Sequence, residues 1–592
     1  GICTSAAFRQ QVGWGTSVLD LAGYNQTLAG LASTGTGTGS VQNSGATTSV
    51  LALNVADGDT QTYGESITGD IEIIKEGLGT QVFSGPNSYT GLTTIRNGTL
   101  RAGNGGALGS ATAGTVIEAA GALDVNGQNL QGEAITTAGT ITNTGGNQMN
   151  ALRTVTLSGD ATFTGTGRWD IRGGSLDLAG FTATKNGSNQ IAVVDSTISS
   201  GQIVIDEGIL SLTRSTWASG GVTANAGTTL YFENNSTGSY GMDVVLDTAT
   251  LRVTGSGVAV GGPVTLTGAN VLQVEGQTLT LNGDIGGAGG FTLNGTGAAQ
   301  VILAGTNSYA GGTTVAGGRL IVPSSAAIPG YATPQTVVQN GGSLVVSAGG
   351  TGWTTAEVAA LNAGAVFDAG SWLVFDVAGG DTFTHTTPIS GNLSVAKEGA
   401  GILALPVASS YAGATEIRLG DVVLGVNDTL PTSTVLTIGS TVAGEARLVM
   451  NGYDQTVAGL ASAGSNTPSV VGGSTTLSTL TVNNAADHTF AGILGGPGAD
   501  ENNLALVKDG AGTLTLSGAN TYEGLTTIRG GTLRAGNGSA LGSGVVRTDI
   551  LSGGTLDING QNLQSEAITV AGTITNTGGG QNNALQNVTL TG

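Results

Sequence analysis

A single phrase recurs four times in this chain: a glycine after an alternating run, Asn or Ser, one residue, Tyr, glycine, a Thr-rich tripeptide, then a second alternating run. It reads SGPNSYTGLTTIRNGTLRAGN from Ser84, AGTNSYAGGTTVAGGRLIV from Ala304, VASSYAGATEIRLGDVVLG from Val407 and SGANTYEGLTTIRGGTLRAGN from Ser517. A short supersecondary unit of this kind cannot bury its own apolar face, so it folds by stacking on copies of itself. The phrase therefore predicts an all-β, elongated solenoid, a right-handed parallel β-helix with little or no α-helix.

Composition agrees. The 592 residues hold 105 glycines, 4% aromatic and 10% charged residues, a poor supply for several compact cores but a good one for a thin stack of small and β-branched side chains. Net charge is -21, which excludes a phosphate-binding surface and hence nucleic acid as a partner. The one cysteine, Cys3, forms no intrachain disulfide, no apolar run reaches membrane-spanning length, and GICTSAAF lacks the features of a signal peptide.

Tyr89, Tyr309, Tyr411 and Tyr522 mark the four copies at spacings of 220, 102 and 111 residues. Residues 79–159 match 512–592 at an offset of 433, and GYNQTLAGLAS from Gly23 matches GYDQTVAGLAS from Gly452 at 429. A length change therefore lies where ADGDTQTYGESITGD meets AADHTFAGILGGPGADENN. The expected organisation is an N-terminal segment (1–15), a first β-helix block (16–159), an intervening β-helix (160–444) and a second copy of the block (445–592). Because the second copy stops at Gly592 where the first continues into DATFTGTGRWDIRGG, the expectation is an excerpt of a longer array.

Alternating runs such as TLTL (513–516) and TLDI (555–558) separated by Gly/Asn turns predict strands throughout, with Val, Ile, Leu and Ala inward and Thr and Ser outward. At roughly 22 residues per coil this gives about 27 coils and a rod on the order of 130 Å. Two stretches are helix-compatible: TTAEVAALNAG from Thr354 and the region near Ser324, Ala326 and Ala327.

The segment KDGAGTLTLSGANTYEGLTTIRGGTLRAGNGSALGS, from Lys508, resembles the autotransporter-associated β-strand repeat, and the copies from Lys75, Leu293 and Lys397 resemble it less closely. A companion Leu-Asp-x-x-Gly pattern at Leu19, Leu123, Leu176 and Leu556 is similar to autotransporter passenger sequences. The resemblance implies a β-helix exported through the outer membrane and displayed at the cell surface. No stretch reads as the translocating β-barrel that it also implies, so autotransport stands here on resemblance alone.

Candidate chemistry is sparse. Arg168, Trp169, Asp170 and Arg172 in RWDIRGG form the densest charged group; alternation places the three charges on one strand face, as a surface ion-pair set or as a glycan or anion contact. Of Trp14, Trp169, Trp217, Trp353 and Trp372, Trp169 is the one expected to be exposed and the rest to fill the core or cover an end. Three of the four lysines (Lys75, Lys397, Lys508) hold one repeat position and read as solvated turn residues, with Asn294 in that position in the remaining copy. His385 and His488 lack ligand-spaced neighbours and read as ordinary strand or turn histidines. GGPGAD at Gly495 fits one calcium nonapeptide but lacks the tandem repeat such sites need, and reads as a Gly-rich loop. The Asn-x-Ser/Thr triplets at Asn25 and Asn235 follow from composition, and LDV at Leu123 reads as a strand.

The expected function is therefore that of a non-enzymatic extracellular stalk, adhesin or filament segment, without metal or cofactor, whose partners are a host or matrix receptor or glycan, or further copies in a head-to-tail filament. The alternative is a β-helical polysaccharide-binding or polysaccharide-degrading protein.

Overall fold

The computed structural model describes residues 8–11, 17–34, 39–233, 238–255 and 257–591; Cys3, Trp14 and Asn235 lie outside the described residues. The chain forms a β-solenoid of about 27 turns, 49% strand and 2% helix, as the repeats require. It divides into two compact units, Gly1–Gly311 and Gly312–Gly592.

In the first unit each coil pairs in parallel with the next, so that one inward position repeats along the stack. Leu100 lies beside Leu123, Leu123 beside Ile141, Ile141 beside Phe163, and the column continues through Lys185, Ile205, Ala224 and Leu246 to Leu266. All nine are buried. Parallel pairing with β-branched and aliphatic side chains inside is the arrangement in which a chain poor in aromatics still removes apolar area from water.

The second unit repeats the plan. Its inward column Val482, Lys508, Ile528, Ile550, Val570 is the counterpart of Leu53, Lys75, Ile95, Ile117, Thr137 in the first. The 429 offset thus gives way to 433 between Val482 and Lys508.

Both helix-compatible stretches are realised. Thr355–Gly364 is an α-helix with a capping box between Thr354 and Glu357, burying Val358 and Leu361 one turn apart. Ser325–Ala327 is a 3-10 turn. Because Gly342–Ser347 pairs directly with Trp372–Asp376, the helix is an excursion from one coil and leaves the stack unbroken. Among the described residues no helix is long and apolar enough to cross a membrane.

Candidate functional site

Alternation along the strand Trp169–Asp177 sends Trp169 inward, where its Nε1 donates to the Thr164 carbonyl oxygen (2.9 Å) and its ring meets Phe163 edge-on at 5.4 Å. Trp169 is fully buried, so the expectation of an exposed ring at this position is corrected: with Arg168 and Asp170 facing outward, strand geometry leaves Trp169 only the core.

Asp170 faces outward yet is covered by Arg168 (2.8 Å) and Arg172 (2.8 Å). The structure adds a fourth charge that no local motif announces. Arg168 also forms a two-pronged pair with Glu233, 3.1 Å at each oxygen, and Glu233 accepts from Gln190 (3.0 Å) and Ser211 (2.9 Å). Ala192 and Ser211 occupy the outward positions next above Asp170, and their small side chains leave room for the guanidinium to bridge the coils. Burial works to raise the Glu233 carboxyl, but Arg168 and Ser211 outweigh it and hold the group below the usual carboxylate range. Two guanidinium groups thus face two carboxylates.

A second ionic group lies in the second unit. Arg319 grips Glu398 with both terminal nitrogens (3.0 and 2.6 Å), and Arg418 joins Glu398 (2.5 Å) to Glu416 (2.7 Å). The Arg418 guanidinium stacks 5.4 Å from the Trp372 ring centre, and Trp372 packs on outward-facing Val345, Val374 and Ala396. Trp372 is half-buried, while Trp217 and Trp353 are fully buried.

The turn chemistry is more regular than the sequence suggested. The repeat lysines point inward and are buried, because each ammonium closes three backbone carbonyls. Lys75 Nζ donates to Glu76, Gly77 and Asn97 oxygens (2.8, 2.9 and 3.1 Å). Lys397 does the same with Glu398, Gly399 and Leu419, and Lys508 with Asp509, Gly510 and Gly530. Lys185, which lies outside the recurring phrase, repeats it with Asn186, Gly187 and Glu207. The solvated reading of these lysines is therefore wrong, and the signal that unites all four was the tripeptide Lys-x-Gly. The glycine is required: Gly77, Gly187, Gly399 and Gly510 have φ between +70° and +82°, which turns the carbonyls toward the ammonium. Burial pushes all four amines down to about 8. In the copy without lysine, Asn294 is exposed, and the position 220 residues beyond Lys75 is Gly295, so the substitution falls one residue later than expected.

The Leu-Asp-x-x-Gly pattern is the complementary device for N–H groups. Asp124 accepts from the backbone N–H of Asn126 and, twenty residues on, of Thr144, both at 3.0 Å; Asp557 holds Asn559 and Thr577 in the same way. Leu123, Asp124 and Val125 are all buried, so LDV is part of the packed strand. The phrase itself is also a staple. Asn87 and Asn520 each accept from one neighbouring coil and donate to the other. Buried Tyr89, Tyr411 and Tyr522 share hydrogen bonds with the Thr four residues on (2.6, 2.5 and 2.6 Å).

His385 is buried between Phe375 and Phe383, within reach of Thr355 and Thr387 hydroxyls, and burial lowers it to about 4. In the loop that begins with GGPGAD, Glu501 accepts from the Gly498 N–H (2.8 Å) and Asp500 from Asn503 (3.2 Å). Among the described residues no group of three or more His, Cys, Asp or Glu is arranged to hold a metal ion.

The passenger-associated-transport-repeat family matches residues 73–102, 154–178, 296–322, 395–424 and 506–535. Those segments carry the lysine claws of Lys75, Lys397 and Lys508 and the staples of Asn87, Tyr89, Tyr411, Asn520 and Tyr522. Five such repeats on a β-solenoid fit an autotransporter passenger. A curated relative of the passenger is the BmaC autotransporter adhesin of Brucella suis biovar 1 (strain 1330), 28% identical over 507 residues; the match covers 82% of the passenger and 14% of that adhesin. The passenger thus spans a small part of its relative's length. No solved structure matches it.

Proposed function

We propose that this passenger is a cell-surface adhesive segment that works without catalysis, presenting an outer face on a β-helical support. The observation that carries the reading is the fate of the recurring residues. Lysine, Asp, Asn and Tyr of the repeats are consumed in joining coil to coil, so recognition is left to outward side chains that differ from coil to coil. The similar Brucella protein is named an adhesin, which supports the same reading.

The outer ionic groups support it too. General acid-base hydrolysis of a glycan needs two carboxyl groups free to exchange a proton, one of them kept protonated. Glu233 and Glu398 are each engaged by arginine instead, which favours the ionised form.

Beads coated with the purified passenger should bind host cells or immobilised matrix proteins saturably above albumin-coated beads. Absence of binding across such a panel, with release of reducing ends from an acidic polysaccharide, would overturn the reading in favour of a glycan-processing protein.

A further inference from the structure

The second copy of the 433-residue unit is two residues shorter than the first between Asn484 and Phe490, the counterparts of Val55 and Tyr63, and six residues longer after Leu494. Asn87 and Asn520 fix the correspondence, because each accepts the backbone N–H of the preceding coil, from Ile67 and Leu494 respectively. From Ile67 the first copy reaches Ile71 through residues 68–70; from Leu494 the second reaches the equivalent Leu504 through residues 495–503, the GGPGAD loop.

This longer loop walls a cleft of about 240 Å³ on the outer face. The floor is a column of outward side chains on successive coils, Arg447 beside Ser469 and Ser469 beside Ile493, and Asp421 flanks Arg447 on the coil before, outside the cleft. Gly495, Gly496, Pro497 and Gly498 close one side. Their shape is set internally, since Glu501 accepts from the Gly498 N–H, and Asn502 Oδ1 accepts from the Gly496 N–H (3.1 Å).

Charge and surface specify the occupant. Arg447 is held by Asp421 (2.9 and 2.7 Å), with Glu501 at 3.3 Å and Glu445 at 3.5 Å. One guanidinium faces three carboxylates, and Glu445, 68% exposed, has only the longest of these contacts. Ile493 and Pro497 offer apolar surface beside them, which suits a charged head on an aliphatic stem.

We infer that the cleft between Glu445, Ile493 and the Gly495–Gly498 loop docks an arginine or lysine side chain from a basic segment of a partner polypeptide. The inference deepens the adhesive reading. It is measured with a soluble peptide, so failure of the cleft and failure of bead adhesion are separate results.

The test is binding of acetylated tetra-arginine amide to the purified chain by isothermal titration at low salt. Glu445→Gln and Ile493→Ser should each weaken it by about fivefold, the scale of one exposed ion pair, with unchanged circular dichroism. Asp57→Asn, the same charge change on an exposed turn of the first unit, should leave affinity unaltered. Replacing residues 495–503 with Thr-Gly-Asp should also weaken binding. An equal loss in Asp57→Asn shows attraction to net charge only and overturns the assignment. Indifference of the peptide to Glu445→Gln and Ile493→Ser, or its displacement by a neutral oligosaccharide, overturns it as well.

Discussion

Lys75 Nζ donates to the carbonyl oxygen of Asn97, twenty-two residues further along the chain, at 3.1 Å. The bond ties the turn of one coil to the turn of the next from inside the core. Removing the ammonium leaves three carbonyls without the donor that reaches them from the core. Lys75→Met, and likewise Lys508→Met, should destabilise the local coils by about 1–3 kcal/mol. Hydrogen exchange should show the loss concentrated at the two bridged turns, and uniform exchange across the chain would contradict the claw.

Gly530 and Gly531 are neighbours with different obligations. Gly531 has φ +62°, and a Cβ there would sit 2.3 Å from the Gly510 oxygen that Lys508 holds; at Gly530 the nearest atom is the Asp509 side chain at 3.2 Å. Gly531→Ala should cost about 1–3 kcal/mol, and Gly530→Ala far less. Thermal unfolding of the two variants side by side decides it.

Tyr522 is buried and shares its hydroxyl with Thr526 at 2.6 Å. Tyr522→Phe should cost about 1–2 kcal/mol through the stranded Thr hydroxyl, and Tyr522→Ala about 3–5 kcal/mol through the added cavity. Similar losses from both variants in chemical denaturation would mean that the ring contributes little.

Glu566 is buried with Thr548 donating to it at 2.7 Å, and burial raises its carboxyl to about 6. Between its ordinary value of 4.5 and about 6 the folded chain binds more protons than the unfolded one, so this contribution is full below 4.5 and is lost as pH rises through 6. The surrounding coils should be about 2 kcal/mol more stable at pH 4.5 than at pH 7 on this account. Glu566→Gln should flatten that slope in hydrogen exchange. Its twin Glu133, with Thr115 at 2.7 Å, is raised in the same direction by burial and should behave alike.

Arg168 joins Asp170 to Glu233. Arg168→Ala should destabilise the three coils above Asp170 by about 1–3 kcal/mol, less than for a fully isolated pair because Arg172 remains. Binding of an acidic glycan should not change, since Arg168 already faces two carboxylates. A glycan signal abolished by this variant with stability intact would restore the anion-contact reading.

Much of the fold was legible because its causes are local. Alternation of Val, Ile and Leu with Thr specifies strands, and Gly/Asn punctuation at repeat spacing specifies coils. The helix at Thr355–Gly364 falls in the stretch TTAEVAALNAG that reads as helix-compatible, and the structure adds the capping box of Thr354 and Glu357. The lysines were misread because a charged side chain beside an acidic neighbour at a turn is ordinarily solvated. What sends Lys75 inward is its place between Leu53 and Ile95 in adjacent coils, a fact of register.

The sequence by itself determined the unit, its turns and the residues that join one coil to the next, since those interactions recur at the repeat distance. Only the tertiary structure decided which outward side chains meet. Glu233 reaches Arg168 across 65 residues, and Glu501 reaches Arg447 across 54. Such contacts depend on how many residues each intervening coil and loop spends before the strands realign, and that sum of lengths sets a register no single segment encodes.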